Sequence, residues 1–139
     1  ELVTYEGRWH KIADAGINPM PVQRPIPIWF GGMADPVLRR IARQGDGWFP
    51  QFRPGEEART LLAQLHSYVQ EEGRDLSEIG IEGRSTITNL SPEEWASELS
   101  EWKELGATHI GVNTMGAGLA TPEDHIDAIR RYKETYDSI

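Results

Sequence analysis

The sequence contains no cysteine. Disulfides, thiolate metal sites and thiol nucleophiles are excluded, which fits a reducing compartment. Long hydrophobic runs are missing too: no apolar stretch approaches the roughly 20 residues of a membrane span. Positive charge is scarce and scattered. Fourteen Lys and Arg stand against 22 Asp and Glu, for a net charge of −8. A polyanion would be repelled, so neither nucleic acid nor an anionic membrane is an expected partner. Residues 1–15 are polar and mixed in charge, unlike a signal peptide, and the expected location is cytoplasmic. His10, His66, His109 and His125 fall at no metal-ligand spacing, so no metal site is expected. There is no Gly-x-Ser-x-Gly elbow. No acid-base or covalent catalytic set can be named, which suits an enzyme whose cofactor carries the chemistry.

What is present is enough for a packed core. Of 139 residues, 38% are hydrophobic, and five are Trp; a chain of this size makes one domain that buries roughly two-thirds of its unfolded surface. Residues 1–24 read as an irregular, extended leader, because Pro19, Pro21 and the following Pro25 prevent helix. Residues 25–139 read as four strand-helix units. The first has a strand at Ile26–Phe30, then Asp35 as N-cap, Pro36 at the first helical position, and a stripe of Val37, Leu38, Ile41 and Ala42. In the second, Gly47–Pro50 precedes a helix from about Glu56, its buried face formed by Ala58, Leu61, Leu62, Leu65, Tyr68 and Val69. The third has a strand near Ile79–Ile87, a capping box in Ser91-Pro92-Glu93-Glu94, and an inward face of Trp95, Leu99, Trp102 and Leu105. The fourth runs from His109–Asn113 through a Gly-rich turn to a helix opened by Thr121-Pro122, with Ile126, Ile129 and Tyr132 as its stripe. Strand-helix alternation of this kind predicts an α/β fold with parallel strands. The period alone fits both an open sheet and half of a TIM-type (β/α)8 barrel.

The strongest local signal is Phe30-Gly31-Gly32-Met33-Ala34-Asp35-Pro36. A strand ends, two glycines turn the chain, and a helix starts at once. Glycines let a ligand approach the backbone, and a helix start offers free N–H groups and partial positive charge. This makes an anion site, most often for phosphate; the same spacing serves equally a tight turn with no ligand. It is not a dinucleotide fingerprint, and no Walker lysine follows. Arg39, Arg40 and Arg43 read as solvated, and Asp46 as a backbone-bonding residue. Arg84 reads either as a strand residue aimed into a barrel mouth, where it could hold an anion, or as an exposed one. Asn113, Thr114 and Met115 end the last strand, where barrel enzymes place ligand-binding groups.

Gly16 to Gly32 together with Leu38 to Pro50 resembles the luciferase-like monooxygenase superfamily, and Gly73-Arg74-Asp75 and Gly106 to Asn113 look like the same family further on. The resemblance implies a (β/α)8 barrel of which this chain is the C-terminal half, Ile26–Phe30 being the fifth strand. It implies an oxidoreductase using FMN or coenzyme F420, with hydride transfer at the cofactor and a small-molecule substrate. Phe30, Gly31, Gly32 and Met33 would lie beside that cofactor, its phosphate near the following helix, and Asn113 would line the mouth from strand eight. A half-barrel leaves two apolar edges and an uncovered face, so a homodimer or higher oligomer is expected, with Ile28 or Val112 at the contact. The other reading is a non-catalytic half-barrel kept for assembly or anion binding.

Overall fold

The structure, a computed structural model, describes residues 2–139. Alternating strands and helices after residue 28 build one parallel sheet. Its strands are β3 (Trp29–Gly31), β4 (Gly47–Phe49), β5 (Gly80–Thr86) and β6 (His109–Asn113), in the order β3-β4-β5-β6. Four helices follow them in turn: α1 (Asp35–Gln44), α2 (Glu56–Glu71), α3 (Pro92–Glu104) and α4 (Pro122–Asp137). All strands run the same way, so the turns leaving them open at one end of the sheet.

The helices cover one face of that sheet. Leu38, Ile41 and Ala42 of α1 and Leu62, Leu65, Tyr68 and Val69 of α2 close over Trp48 and Ile81. A second cluster gathers Trp95 and Leu99 of α3 with Ala128 and Tyr132 of α4, and Ile110 and Val112 of β6 pack against it. Alternation along each strand sends the other set of side chains to the opposite face. There Trp29 lies across its neighbours: a Cβ on Gly47 would land inside the indole, and one on Gly80 would stand 2.5 Å from its Cη2. Phe49 and His109 flank the same ring, each with centroids 5.0 Å away.

Local sequence explains the helix ends. Ser91 with Glu94 and Thr121 with Asp124 form complete capping boxes, each with proline in the first turn. The C-terminus of α1 is closed by Arg74, whose Nη1 donates to the carbonyls of Ala42 and Gly45 at 3.0 and 2.9 Å, a cation placed where the helix dipole is negative.

Several expectations are corrected. The leader is not irregular throughout: β1 (Val3–Glu6) and β2 (Lys11–Ala15) form an antiparallel hairpin, all of it exposed. The first parallel strand starts at Trp29, leaving Ile26 and Ile28 before it and exposed. Asp35 is not the N-cap of α1. Ala34 takes that position without a side-chain bond, and Asp35 sits inside the first turn. In α4 the buried stripe is Ala128 and Tyr132, whereas Ile126 and Ile129 face solvent. Leu61 and Leu105 are only half-buried.

Candidate functional site

The turn after β3 is held open from below. Gly32 has φ of +106°, a region that L side chains rarely adopt. Its carbonyl accepts a 2.8 Å hydrogen bond from Nε1 of Trp48, which is fully buried. The carbonyl is therefore pinned toward the helix layer. A Cβ built on Gly32 would meet Val37 at 3.6 Å, ordinary contact, so backbone conformation rather than crowding demands glycine here. At Gly31 the case is reversed. A Cβ there would have only the Phe49 carbonyl at 4.0 Å and otherwise open space.

Behind the turn, α1 begins with no capping side chain, unlike α3 and α4. Its one acidic first-turn residue is turned toward α2 and paired with Arg39. The Asp35 carboxylate accepts from the Tyr68 hydroxyl, from Gln64 Nε2 at 3.1 Å and from Arg39 Nε at 3.1 Å. Tyr68 and then Arg39 hold its pKa below the ordinary carboxylate value. Arg39 in turn covers the Tyr68 ring. Pro36 has no N–H, and the Val37 and Leu38 amides bond to the Ala34 carbonyl at 2.8 and 3.2 Å. What the start of α1 offers is therefore the Asp35 amide, which no side chain caps, and the helix dipole, with the nearby carboxylate tied to α2. A phosphate-bearing group fits such a start.

Phe30 and Met33, named from sequence as neighbours of a cofactor, send their side chains into the α1–α2 core. Only their backbone is available at the turn. Asn113 ends β6, but its Oδ1 accepts from the Met115 amide at 2.9 Å and bends back on its own loop. It still borders a polar cleft of about 350 Å³ with Gln51, Arg53, Arg84, Ser85 and Glu98. Arg84 lies exposed on the helix-free face, its Nη1 donating to Gln51 Oε1 at 3.0 Å. Asp46 bonds backbone as expected, accepting from the Ile28 amide at 2.7 Å. Among the histidines, His125 is paired with Thr114 Oγ1 at 2.7 Å, and His66 and His109 are exposed. Trp48 and Trp29 were not singled out by the sequence reading. No spacing signal marks them, because their roles depend on which strands lie side by side.

Comparison with known proteins agrees with this architecture. Residues 1–102 match the luciferase-like monooxygenase family. An uncharacterised protein of Mycobacterium tuberculosis is 37% identical over 70 residues, 50% of this chain and 24% of that one. The F420-dependent glucose-6-phosphate dehydrogenase of Kineococcus radiotolerans is 29% identical over 114 residues, 78% of this chain and 33% of the other. Among solved structures, the coenzyme F420-dependent tetrahydromethanopterin reductase of Methanopyrus kandleri superposes with a TM-score of 0.65 at 13% identity, over 96% of this chain and 55% of that chain. An F420-dependent secondary alcohol dehydrogenase in complex with an F420-acetone adduct gives 0.51 at 16%, covering 96% and 47%. The chain thus spans a quarter to a third of these curated relatives and about half of these solved structures. No helix among the described residues is long and apolar enough to cross a membrane. With well over half of its residues inside the family match, and the parallel strand-helix order to go with it, the chain belongs to the luciferase-like monooxygenase family.

Proposed function

We propose that residues 25–139 are the C-terminal half of a (β/α)8 barrel in a flavin- or coenzyme F420-dependent oxidoreductase. The observation that carries this reading is the uncapped start of α1 behind Gly31-Gly32, at the C-terminal end of a parallel strand. That end of a parallel sheet is where such folds bind ligands. The phosphate of FMN or F420 sits against the amides of the turn, and the small-molecule substrate lies further along the mouth. When bound, the cofactor supplies hydride transfer, with oxygen activation added if it is reduced FMN. Gly31 leaves room for the cofactor to approach, Trp48 fixes the turn, and Asp35 is kept out of the way by Tyr68 and Arg39. Of the four proteins compared, three carry F420 dependence in their names, which supports that cofactor over FMN. The chain also self-associates, as a homodimer or larger, through the edges at β3 and β6.

The test is titration of the chain with FMN and, separately, F420, following visible absorbance and cofactor fluorescence. Saturation at one equivalent by either cofactor is expected. If neither binds, the oxidoreductase reading fails for this chain. A second reading, a non-catalytic half-barrel that binds anions or serves assembly, draws on the match to only about half of the solved structures. Binding of phosphate but of neither cofactor would select it.

A further inference from the structure

We infer that Arg53 and Arg84 form an oxyanion-recognition point for the substrate, a carboxylate or phosphate group held in the cleft at the ends of β4, β5 and β6. This rests on the reading above, in which that end of the sheet is the reaction mouth. The chain is strongly acidic, so a cleft with two arginines and one acidic residue, Glu98, runs against its overall charge. Among the described residues neither Arg53 nor Arg84 takes part in an ion pair; Arg8, Arg24, Arg40, Arg43 and Arg131 take part in none either, but only Arg53 and Arg84 line this cleft. Glu82 shares the helix-free face with Arg84, yet its carboxylate is placed over Gly111.

Gln51 orients the Arg84 guanidinium through one bond at 3.0 Å and leaves its other donors unused. A guanidinium positioned in this way matches the two oxygens of a carboxylate or phosphate, and such charge-assisted bonds are the stronger kind. Ser85 also borders the cleft, but it alternates with Arg84 along β5, and its buried side chain falls on the helix-covered face with Ile81 and Gly83. The two arginines alone supply the grip. The cleft stands two strand spacings from the Gly31-Gly32 turn, roughly 10 Å. It is therefore a separate place from the cofactor's phosphate site, and within reach of a substrate lying beside a bound ring.

The experiment is nuclear magnetic resonance of the full chain, titrated with inorganic phosphate and in parallel with malonate. The Nε–Hε signals of Arg53, Arg84 and Arg40 and the Gly32 backbone amide are followed together. Arg53 and Arg84 should shift saturably with both anions, and Arg40, on the exposed side of α1, should not. R84Q and R53Q should each weaken binding about tenfold or more while the remaining spectrum stays that of the wild type. Saturable shifts lost in both variants would support the site. Shifts of Arg40 equal to those of Arg84, or unchanged affinity in both variants, would overturn it. A repeat with FMN present decides the source of the anion. If FMN displaces phosphate from Arg84, the arginines serve the cofactor and the proposal fails. Gly32 reports the cofactor turn on its own: a Gly32 silent to FMN with an Arg84 that still responds to the anions would remove the cofactor reading, and with it the substrate role, leaving only anion binding by the two arginines.

Discussion

Gly31 and Gly32 are adjacent, yet a side chain at each would meet different surroundings. At Gly32 the backbone lies at φ +106°, so Gly32→Ala should cost roughly 1–3 kcal/mol in conformational strain. At Gly31 the added atoms would enter open space on the side where the cofactor is proposed to sit. Gly31→Val should therefore keep the wild-type denaturation midpoint and lose cofactor affinity. Chemical denaturation and FMN or F420 titration on both variants separate the two effects. A Gly31→Val chain that binds as the wild type does would remove Gly31 from the site. Residue-level reading of the sequence reached this turn because glycine pairs before a helix are a local signal. It placed Asp35 wrongly because a partner far along the chain, Tyr68, recruits the carboxylate and leaves Ala34 to begin the helix.

Among the elements, α3 shows most directly how a helix is fastened to the sheet. Trp102 is fully buried over Gly83, where a Cβ would stand 2.7 Å from the indole, and it stacks on Phe52. Trp102→Ala should cost roughly 3–5 kcal/mol, as the truncation of a buried Trp does; an unchanged unfolding midpoint would show the contact to be unimportant. The inward set Trp95, Leu99 and Trp102 was readable from a 3.6-residue period, and the ends of α3 and α4 from their capping boxes. The strands were less legible. Three residues, as in β3, cannot establish which face a side chain takes, and Phe30 was assigned toward a cofactor when it packs against α1 and α2. The exposed hairpin β1–β2 was hidden because its strands are short: Val3-Thr4-Tyr5-Glu6 alternates over only four residues, and the prolines that suggested an irregular segment, Pro19, Pro21 and Pro25, lie beyond it.

For the whole molecule, the helix-free face and the two sheet edges are the features that a monomer leaves unused. Exposed Ile26 and Ile28 stand beside the β3 edge, whereas Val112, expected at the same kind of contact, packs inward on the α3–α4 cluster. Open edges favour pairing with another strand, so sedimentation at micromolar concentration should show a dimer or larger species. A monodisperse, folded monomer would remove the edge-pairing proposal. The face itself carries a longer-term consequence through Trp29, which spans Gly47 and Gly80 on two neighbouring strands. A side chain at position 47 or 80 would force the indole out of its place. Gly80→Ala should destabilise the chain with Trp29 in place and do much less harm beside Trp29→Ala, a coupling that a double-mutant cycle reads directly. Positions 29, 47 and 80 should therefore change together. Once the indole has been exchanged for a small residue and both glycine positions filled, restoring the tryptophan alone would clash with both new side chains, so the exchange would act as a ratchet.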